Sequence, residues 1–492
     1  MLVRLSVDDL KIALRDSGAI IQWSSVTFLL PLIASLIFVE GTTMLVIYLL
    51  SALFAFFIGM AMKKICYSKR ETELRHAFIA VTVVWLIYTG ITAVPFVLSM
   101  GMSFIDAYFE SMSALTTTGL TLMHHTLRSA PQSLILWRSI LSWIGGIGII
   151  ILALVGLLTT YTKSAKLMVA EGREASIKPN IKNTAKEIWS IYLLLTVVGI
   201  LMLYLSGMNL FDAINYSMSA ISTTGMDTLP NRLADIQNPL INLSIVLIMI
   251  MGATSFSVHY LFLRKKDYLA HIKDAEFRIM IGLGLLSSFA IIPALLKFYG
   301  NSLSIAVNGA LFHGFSAITC GGFMITSAGD LFNWNDFAKL MLILVMFIGG
   351  ASGSTAGGIK ISRFWLFTKS TWWKIKESIL PKNAFFQKKF EGRIVENPEI
   401  RQINQFILLY GIFILLGGII LTLEGNSLSD SLFEVVSAQS NGGLTVGIAS
   451  INMPFLSKIM LIFNMFIGRL EIIPILSAIG FMLSIKTRDT RK

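Results

Sequence analysis

Four nine-residue segments carry the residue types and spacing in this chain that could do chemistry. Ser113 to Thr121 reads SALTTTGLT, Ser219 to Asp227 reads SAISTTGMD, Ser316 to Met324 reads SAITCGGFM and Ser437 to Thr445 reads SAQSNGGLT. Aligned on the Ser-Ala pair, the seventh position is glycine in each: Gly119, Gly225, Gly322 and Gly443. A glycine there lets main-chain carbonyls line a narrow path without side-chain obstruction, replacing the water around a dehydrated ion. No carboxylate occupies that position in any copy, so the chemistry fits a carbonyl-built, K⁺-type filter better than a charged ring. The opening serines are 106, 97 and 121 residues apart, too far for a solenoid repeat and about right for a membrane module.

Two further features stand downstream of the segments. Gly146, Gly252, Gly350 and Arg469 lie 27, 27, 28 and 26 residues after the four glycines, so arginine replaces glycine in the last copy alone. Arg469 falls about 13 residues into a hydrophobic run, roughly 20 Å deep at 1.5 Å per residue. An ionisable group at that depth faces a bundle interior or water and is functional by default. It is read as an electrostatic barrier in the ion path, or as a structural partner of Glu471, Glu434 or third-unit carbonyls, and both roles can hold. The stretch GGASGSTAGG contains Gly349, Gly350, Gly353, Gly357 and Gly358. At about 1 kcal/mol per glycine relative to alanine, a continuous helix is disfavoured. A gating loop across the pore is expected, against close helix packing through the GxxxGxxxG spacing of Gly349, Gly353 and Gly357. The stretch mimics a phosphate loop, but Lys360 follows Ile359 instead of glycine, and phosphate binding is rejected.

The elements that must position these residues are membrane spans. With 55% hydrophobic and 14% charged residues in 492, the chain reads as a polytopic membrane protein. Apolar runs near the roughly 20 residues needed to cross a bilayer recur. They fall at about 24–40, 43–62, 76–98, 133–158, 188–206, 238–262, 279–299, 337–358, 402–423 and 456–485. Ahead of each segment, Asp106, Asp212, Gly309 and Asp430 stand seven residues before the opening serine. As cap-type residues they predict short helices, too short to span, whose C-termini point their partial negative charge at a shared site. Such re-entrant backbone survives at membrane depth only where protein or water surrounds it. Glu110 and Glu434 share a register and either bond filter backbone or face a vestibule.

The fold expected is all-α and polytopic, a fourfold pseudo-repeat of span, re-entrant loop and span behind an N-terminal two-span hairpin. The boundaries are 1–75 for an amphipathic lead-in and the hairpin, then repeats at 76–187, 188–278, 279–401 and 402–492. Residues 1–23 could lie along the inner membrane surface. No cleavable signal is read in that lead-in. Of the 40 Lys and Arg, 33 fall in the tails and alternate loops that the positive-inside rule makes cytoplasmic, with both termini. The net charge of +12 is thereby explained by topology, and nucleic acid is not invoked. The basic, aromatic run 359–401 (Trp365, Trp372, Trp373) either docks a regulator or forms an interfacial belt. Cys66 and Cys320 lie in different regions and predict no disulfide.

With TTTGL, STTGM, TCGGF and SNGGL as filters, the pattern resembles the Trk/Ktr/HKT superfamily of K⁺ transporters from about residue 75 to the end. The hairpin, IGGASGSTAGGIK and FNMFIGRLEIIP bring it nearest the bacterial TrkH branch. The resemblance implies a homodimer in the prokaryotic inner membrane, gated by a cytoplasmic nucleotide-binding TrkA-type ring. It also implies K⁺ held by backbone of Thr117, Thr118 and Gly119, of Thr223, Thr224 and Gly225, of Cys320, Gly321 and Gly322, and of Asn441, Gly442 and Gly443. Glycine in all four copies matches K⁺-selective members.

K⁺ is thus the expected substrate ion and lipid the surroundings, with no bound cofactor. Rival readings are a Na⁺-coupled or poorly selective cation transporter, and a secondary solute transporter. The latter predicts inverted repeats, whereas these units share one orientation. A membrane enzyme would need converging His, Glu or Cys groups at bilayer depth, and the sequence offers no such cluster.

Overall fold

The computed structural model describes residues 7–68, 70–148, 181–230, 232–236, 238–381, 387–390, 393–470 and 472–483. Among them, six helices are long and apolar enough to cross a membrane, and eight if two bent pairs each count as one span. The protein is an all-α, multi-pass assembly, and its one small sheet pairs Lys389–Phe390 with Arg393–Ile394 among the described residues.

The N-terminal lead-in departs from the surface-lying expectation. Val7–Ser24 continues through a 3₁₀ turn into Leu29–Ile37, and Ile12, Ala13, Ile20 and Ile21 are buried in the bundle. Its acids are buried because they have partners: His76 Nε2 lies 3.0 Å from Asp9 Oδ1, and Thr72 Oγ1 donates to Asp16 Oδ2. A Cβ on Gly18 would come within 2.6 Å of the Gly59 carbonyl in Thr42–Ile65, so this pair of helices crosses glycine against glycine.

Each repeat then supplies a long helix, a short one and a second apolar helix. The long helices are Leu74–Thr92 continued by Val94–Met100, Ile181–Leu205, Ala275–Phe298 and Asn397–Leu423. The short ones are Phe104–Leu115, Leu210–Ile221, Leu303–Ile318 and Leu428–Gln439.

Among the second spans a break is expected only at the Gly-rich stretch of the third; the second and fourth are broken as well, and the described helix of the first ends at Gly148. Gln132–Ile147 ends at Gly148, whose φ of +97° terminates the helix, and the remainder of the expected span at 133–158 lies outside the described residues. Pro239–Ala253 bends by 100° into Phe256–Arg264, and Phe455–Leu470 turns by 108° into Pro474–Gly480. Asp336–Ile348 stops at Gly349, and helix resumes at Ile361. Averaged over the length of a span the two bent pairs stay apolar, which is why composition reads each as a single span.

The aromatic run after Ile361 builds a small core of its own. Leu366, Trp373, Phe390, Val395 and Ile400 are buried together, and Trp365 meets Phe390 edge-on at 5.1 Å. Only part of the run is left on the surface, Trp372 being 56% exposed.

Candidate functional site

The short helices start one turn earlier than Asp106, Asp212 and Asp430 suggest. Ser103, Asn209 and Ser427 are the N-caps, accepting from the amides of Asp106, Asp212 and Asp430 at 3.3, 2.9 and 3.1 Å. The three aspartates thus sit at the third helical position, where Ser103 and Ser427 donate back to their carboxylates at 2.6 and 2.5 Å. The S-x-x-D and N-x-x-D spacing is a capping signature that could have located these starts from sequence. The third helix has no such pair and begins at Leu303, before Gly309.

All four helices end alike. The amide of the sixth segment residue reaches the carbonyl of the first: Thr118 to Ser113, Thr224 to Ser219, Gly321 to Ser316 and Gly442 to Ser437, at 2.7–2.9 Å. The fifth reaches the second at 3.0–3.2 Å, from Thr117, Thr223, Cys320 and Asn441. This is the Schellman termination, which needs a left-handed residue after the helix. Thr117, Thr223, Cys320 and Asn441 supply it at φ of 57, 55, 51 and 52°. For the two threonines that conformation costs roughly 1–3 kcal/mol each, a strain the surrounding structure must hold.

The glycines at the seventh position also have positive φ, between 71 and 85°. Their neighbours show why no side chain fits. A Cβ on Gly119 or on Gly322 would overlap the Thr224 carbonyl oxygen, and one on Gly443 would overlap that of Thr118. One on Gly225 would lie 2.6 Å from the Gly322 carbonyl oxygen. The segments therefore converge on one another through backbone, and Thr117, Thr118, Gly119, Thr223, Thr224, Gly225, Cys320, Gly321, Gly322, Asn441, Gly442 and Gly443 are all buried there. Side-chain hydroxyls pair with each other, Thr116 with Thr118 at 2.8 Å and Ser222 with Thr224 at 2.7 Å. Asn441 Nδ2 ties the fourth segment to the first by donating to Thr118 Oγ1 at 2.9 Å. No cluster of His, Cys, Asp and Glu that could hold a metal ion occurs among the described residues. Neutral oxygens facing the C-terminal ends of helices suit a weakly hydrated monovalent cation.

Four fully buried residues share one register, three before each opening serine: Glu110, Tyr216, His313 and Glu434. Glu110 accepts from the Leu122 amide at 3.0 Å and from Arg138 Nε at 2.8 Å. Arg138 Nη1 donates in turn to the Asp227 carbonyl of the next repeat at 2.9 Å. Glu434 accepts from the amides of Val446 and Ala449 at 3.1 and 3.0 Å. Tyr216 stacks on Phe323, and His313 Nε2 meets Thr326 Oγ1 at 3.2 Å. Both glutamates are fully buried and bond backbone just beyond their segments instead of the filter backbone expected for them.

Lysines clamp two junctions. Lys339 of the third repeat donates to Asp430 of the fourth, and Lys458 of the fourth donates to Asp106 of the first, each at 2.6 Å and each buried. Lys339 and Lys458, like Arg138, belong to the seven basic residues outside the loops and tails expected to be cytoplasmic, and sequence reasoning missed their partners because these are distant along the chain.

The Gly-rich stretch is a loop that leaves and returns beside itself. The amides of Ile359 and Lys360 donate to the carbonyls of Phe347 and Ile348 at 3.1 and 2.9 Å. Gly349 packs against Gly357 and Gly358, while Gly357 abuts the Ser440 carbonyl at the end of the fourth short helix. Gly350 packs on Ala356 and Ala253, and the Gly353 carbonyl accepts from the Phe256 amide at 3.1 Å. Thr355 Oγ1 lies 2.9 Å from the carbonyls of Ile221 and Gly252. Arg469 completes the cluster: Nη1 donates to the Thr355 carbonyl at 3.0 Å, and Nη2 to the carbonyls of Gly145 and Gly146. One guanidinium thus joins the fourth, third and first repeats at the ends of their second helices. Glu471, also considered as its partner, lies outside the described residues.

The chain matches the TrkH family, described as cation transport protein, over residues 49–484. It is 34% identical to an uncharacterized cation transporter of Methanocaldococcus jannaschii over 474 residues, 96% of each chain. It is 30% identical to the Trk system potassium uptake protein TrkH of Salmonella typhimurium, over 94% of this chain and 96% of that one. The crystal structure of the potassium transporter TrkH from Vibrio parahaemolyticus superposes with a TM-score of 0.81 at 29% identity, covering 95% of this chain and 97% of that one.

Proposed function

Because the chain belongs to the TrkH family of cation transport proteins, we propose that it carries K⁺ across the membrane through the gap between its four segments. It is a transporter and not an enzyme. The observation that carries the K⁺ reading is the fourfold left-handed helix ending, at which glycine and carbonyl oxygen meet with no space for a side chain. Such a site strips water from a cation and repays it with neutral backbone oxygens. The potassium-uptake names of relatives at about 30% identity support the same ion.

In this proposal the chain divides into an N-terminal unit at 1–75 and repeats at 76–187, 188–278, 279–401 and 402–492. Selectivity resides in the twelve filter residues named above. Control resides in Gly349, Gly350, Gly353, Gly357, Gly358 and Arg469. The guanidinium holds the loop through the Thr355 carbonyl and adds a positive charge to the path. Opening requires the loop to withdraw, a motion that fits a cytoplasmic nucleotide-binding ring of the TrkA type, acting on a homodimer in the inner membrane with both termini cytoplasmic. The test is growth at limiting K⁺ of a bacterial strain lacking its own K⁺ uptake. Expression of the chain should restore growth, and removal of residues 349–358 should abolish regulation. Failure to restore growth with a correctly inserted protein would overturn the K⁺ reading.

A further inference from the structure

The fourth segment alone carries amide side chains. Position three of the segments is Leu115, Ile221, Ile318 and Gln439, and position five is Thr117, Thr223, Cys320 and Asn441. Gln439 and Asn441 are fully buried, as is Asn464 on the second helix of the same repeat. Gln439 Nε2 donates to the Tyr410 carbonyl at 2.8 Å, and Asn464 Nδ2 donates to Gln439 Oε1 at 2.7 Å. These two hold the fourth segment within its own repeat.

Asn441 reaches further. Its Nδ2 donates to the Met465 carbonyl at 3.1 Å and to Thr118 Oγ1 of the first segment at 2.9 Å. Both amide hydrogens are used, and turning the amide over would set Oδ1 against the Met465 carbonyl. Thr118 passes the link to Thr116 at 2.8 Å, whose hydroxyl donates to the Met112 carbonyl at 2.7 Å. Hydrogen bonds thus run unbroken from the helix that carries Arg469, through the fourth and first segments, to the first short helix. Buried amides in such a chain stiffen what they join.

The other junctions lack this tie. Gly443 faces the Thr118 carbonyl and Gly119 the Thr224 carbonyl, so the first segment stands to the second as the fourth does to the first. There the counterpart of Asn441 is Thr117, whose hydroxyl has no hydrogen-bond partner among the described residues. At the remaining two junctions the residue matching Thr118 is Gly321 or Gly442, which offers no hydroxyl. Asn441 also leaves its Oδ1 buried and unpartnered. Its φ of +52° suits asparagine, but glycine adopts that conformation more readily still, so the backbone alone does not call for an amide.

We propose that the Asn441 side chain is a positioning residue for ion selection. It fixes the spacing of the fourth and first segments, so that their carbonyls do not close around the smaller Na⁺. Ligating oxygens discriminate by geometry only as far as the hydrogen bonds around them hold that geometry. The inference rests on the K⁺ reading above.

Uptake of ⁸⁶Rb⁺ into liposomes, competed by Na⁺ or by K⁺, tests it. Asn441→Gly keeps the left-handed backbone and removes the amide. Thr118→Val keeps the side-chain shape and removes the hydroxyl at the other end, so either variant suffices if the other does not fold. Each should strengthen Na⁺ competition relative to K⁺ by about fivefold, the effect of one lost hydrogen bond. The double variant should lose no more than either single one, and Thr118→Ser, which keeps the hydroxyl, should lose less than Thr118→Val. A discriminating parent whose Na⁺ to K⁺ ratio is unmoved in the variants, even where uptake slows, would overturn the tie and leave the K⁺ reading standing, as would single losses that add in the double variant. A parent that does not discriminate would overturn both.

Discussion

Lys458 Nζ donates to Asp106 Oδ1 at 2.6 Å, joining residues 352 positions apart. The contact runs from the last repeat to the first and closes a ring that the chain leaves open. Lys339 and Asp430 do the same for the third and fourth repeats. Both pairs seat the N-terminal end of a second helix against the start of a short one, so they fix where the short helices aim. Buried charges contribute this way only when paired, because each has given up its water.

Lys458→Met should therefore lower the thermal unfolding temperature by an amount corresponding to about 3 kcal/mol, since it strands the Asp106 carboxylate. Adding Asp106→Leu should restore most of that stability while leaving the first short helix less well aimed and K⁺ flux reduced. A single variant as stable as the parent would show the pair to be incidental.

Gly322→Ala should leave a folded protein with K⁺ flux abolished. The new methyl group would fall on the Thr224 carbonyl oxygen, at a φ of +73° that L residues rarely adopt. Near-normal flux would show that the segments do not converge as described.

What could be read along the chain was whatever repeats locally. The Ser-Ala pairs, the glycines seven positions in and the short amphipathic stretches were legible because each copy supports the others. The left-handed fifth position was not, because Thr117 and Thr223 are poor residues for it and only the surrounding fold holds them there. Three helix caps lie three residues before the aspartates, because Asp106, Asp212 and Asp430 are third residues behind Ser103, Asn209 and Ser427, and the third helix starts at Leu303, well before Gly309. The breaks at Thr254 and after Leu470 leave the average over a span-length window apolar, so composition does not reveal them. Arg138, Lys339 and Lys458 gain their partners from tertiary approach that no local pattern encodes.

Thr355→Val should raise basal flux. It keeps the shape of the side chain and removes the hydroxyl that binds the loop to the Ile221 and Gly252 carbonyls. Arg469→Ala should act in the same direction through the lost contact to the Thr355 carbonyl. Flux in liposomes without any regulatory partner measures both, and unchanged or lower flux in folded variants argues against a gate at this place.

Glu110→Gln should lower K⁺ flux and weaken discrimination against Na⁺ while the protein remains inserted. The carboxylate organises Thr121, the Leu122 amide and Arg138 at once, and a neutral amide leaves the buried guanidinium without its counter-charge. Unaltered selectivity would confine Glu110 to a structural role.

Selection of K⁺ by backbone oxygens is tested most directly by ⁸⁶Rb⁺ uptake into liposomes holding the purified protein. Unlabelled K⁺ should compete strongly and Na⁺ weakly, with the preference lost in Gly119→Ser and Gly443→Ala. Equal competition by Na⁺ and K⁺ in the parent protein would contradict it.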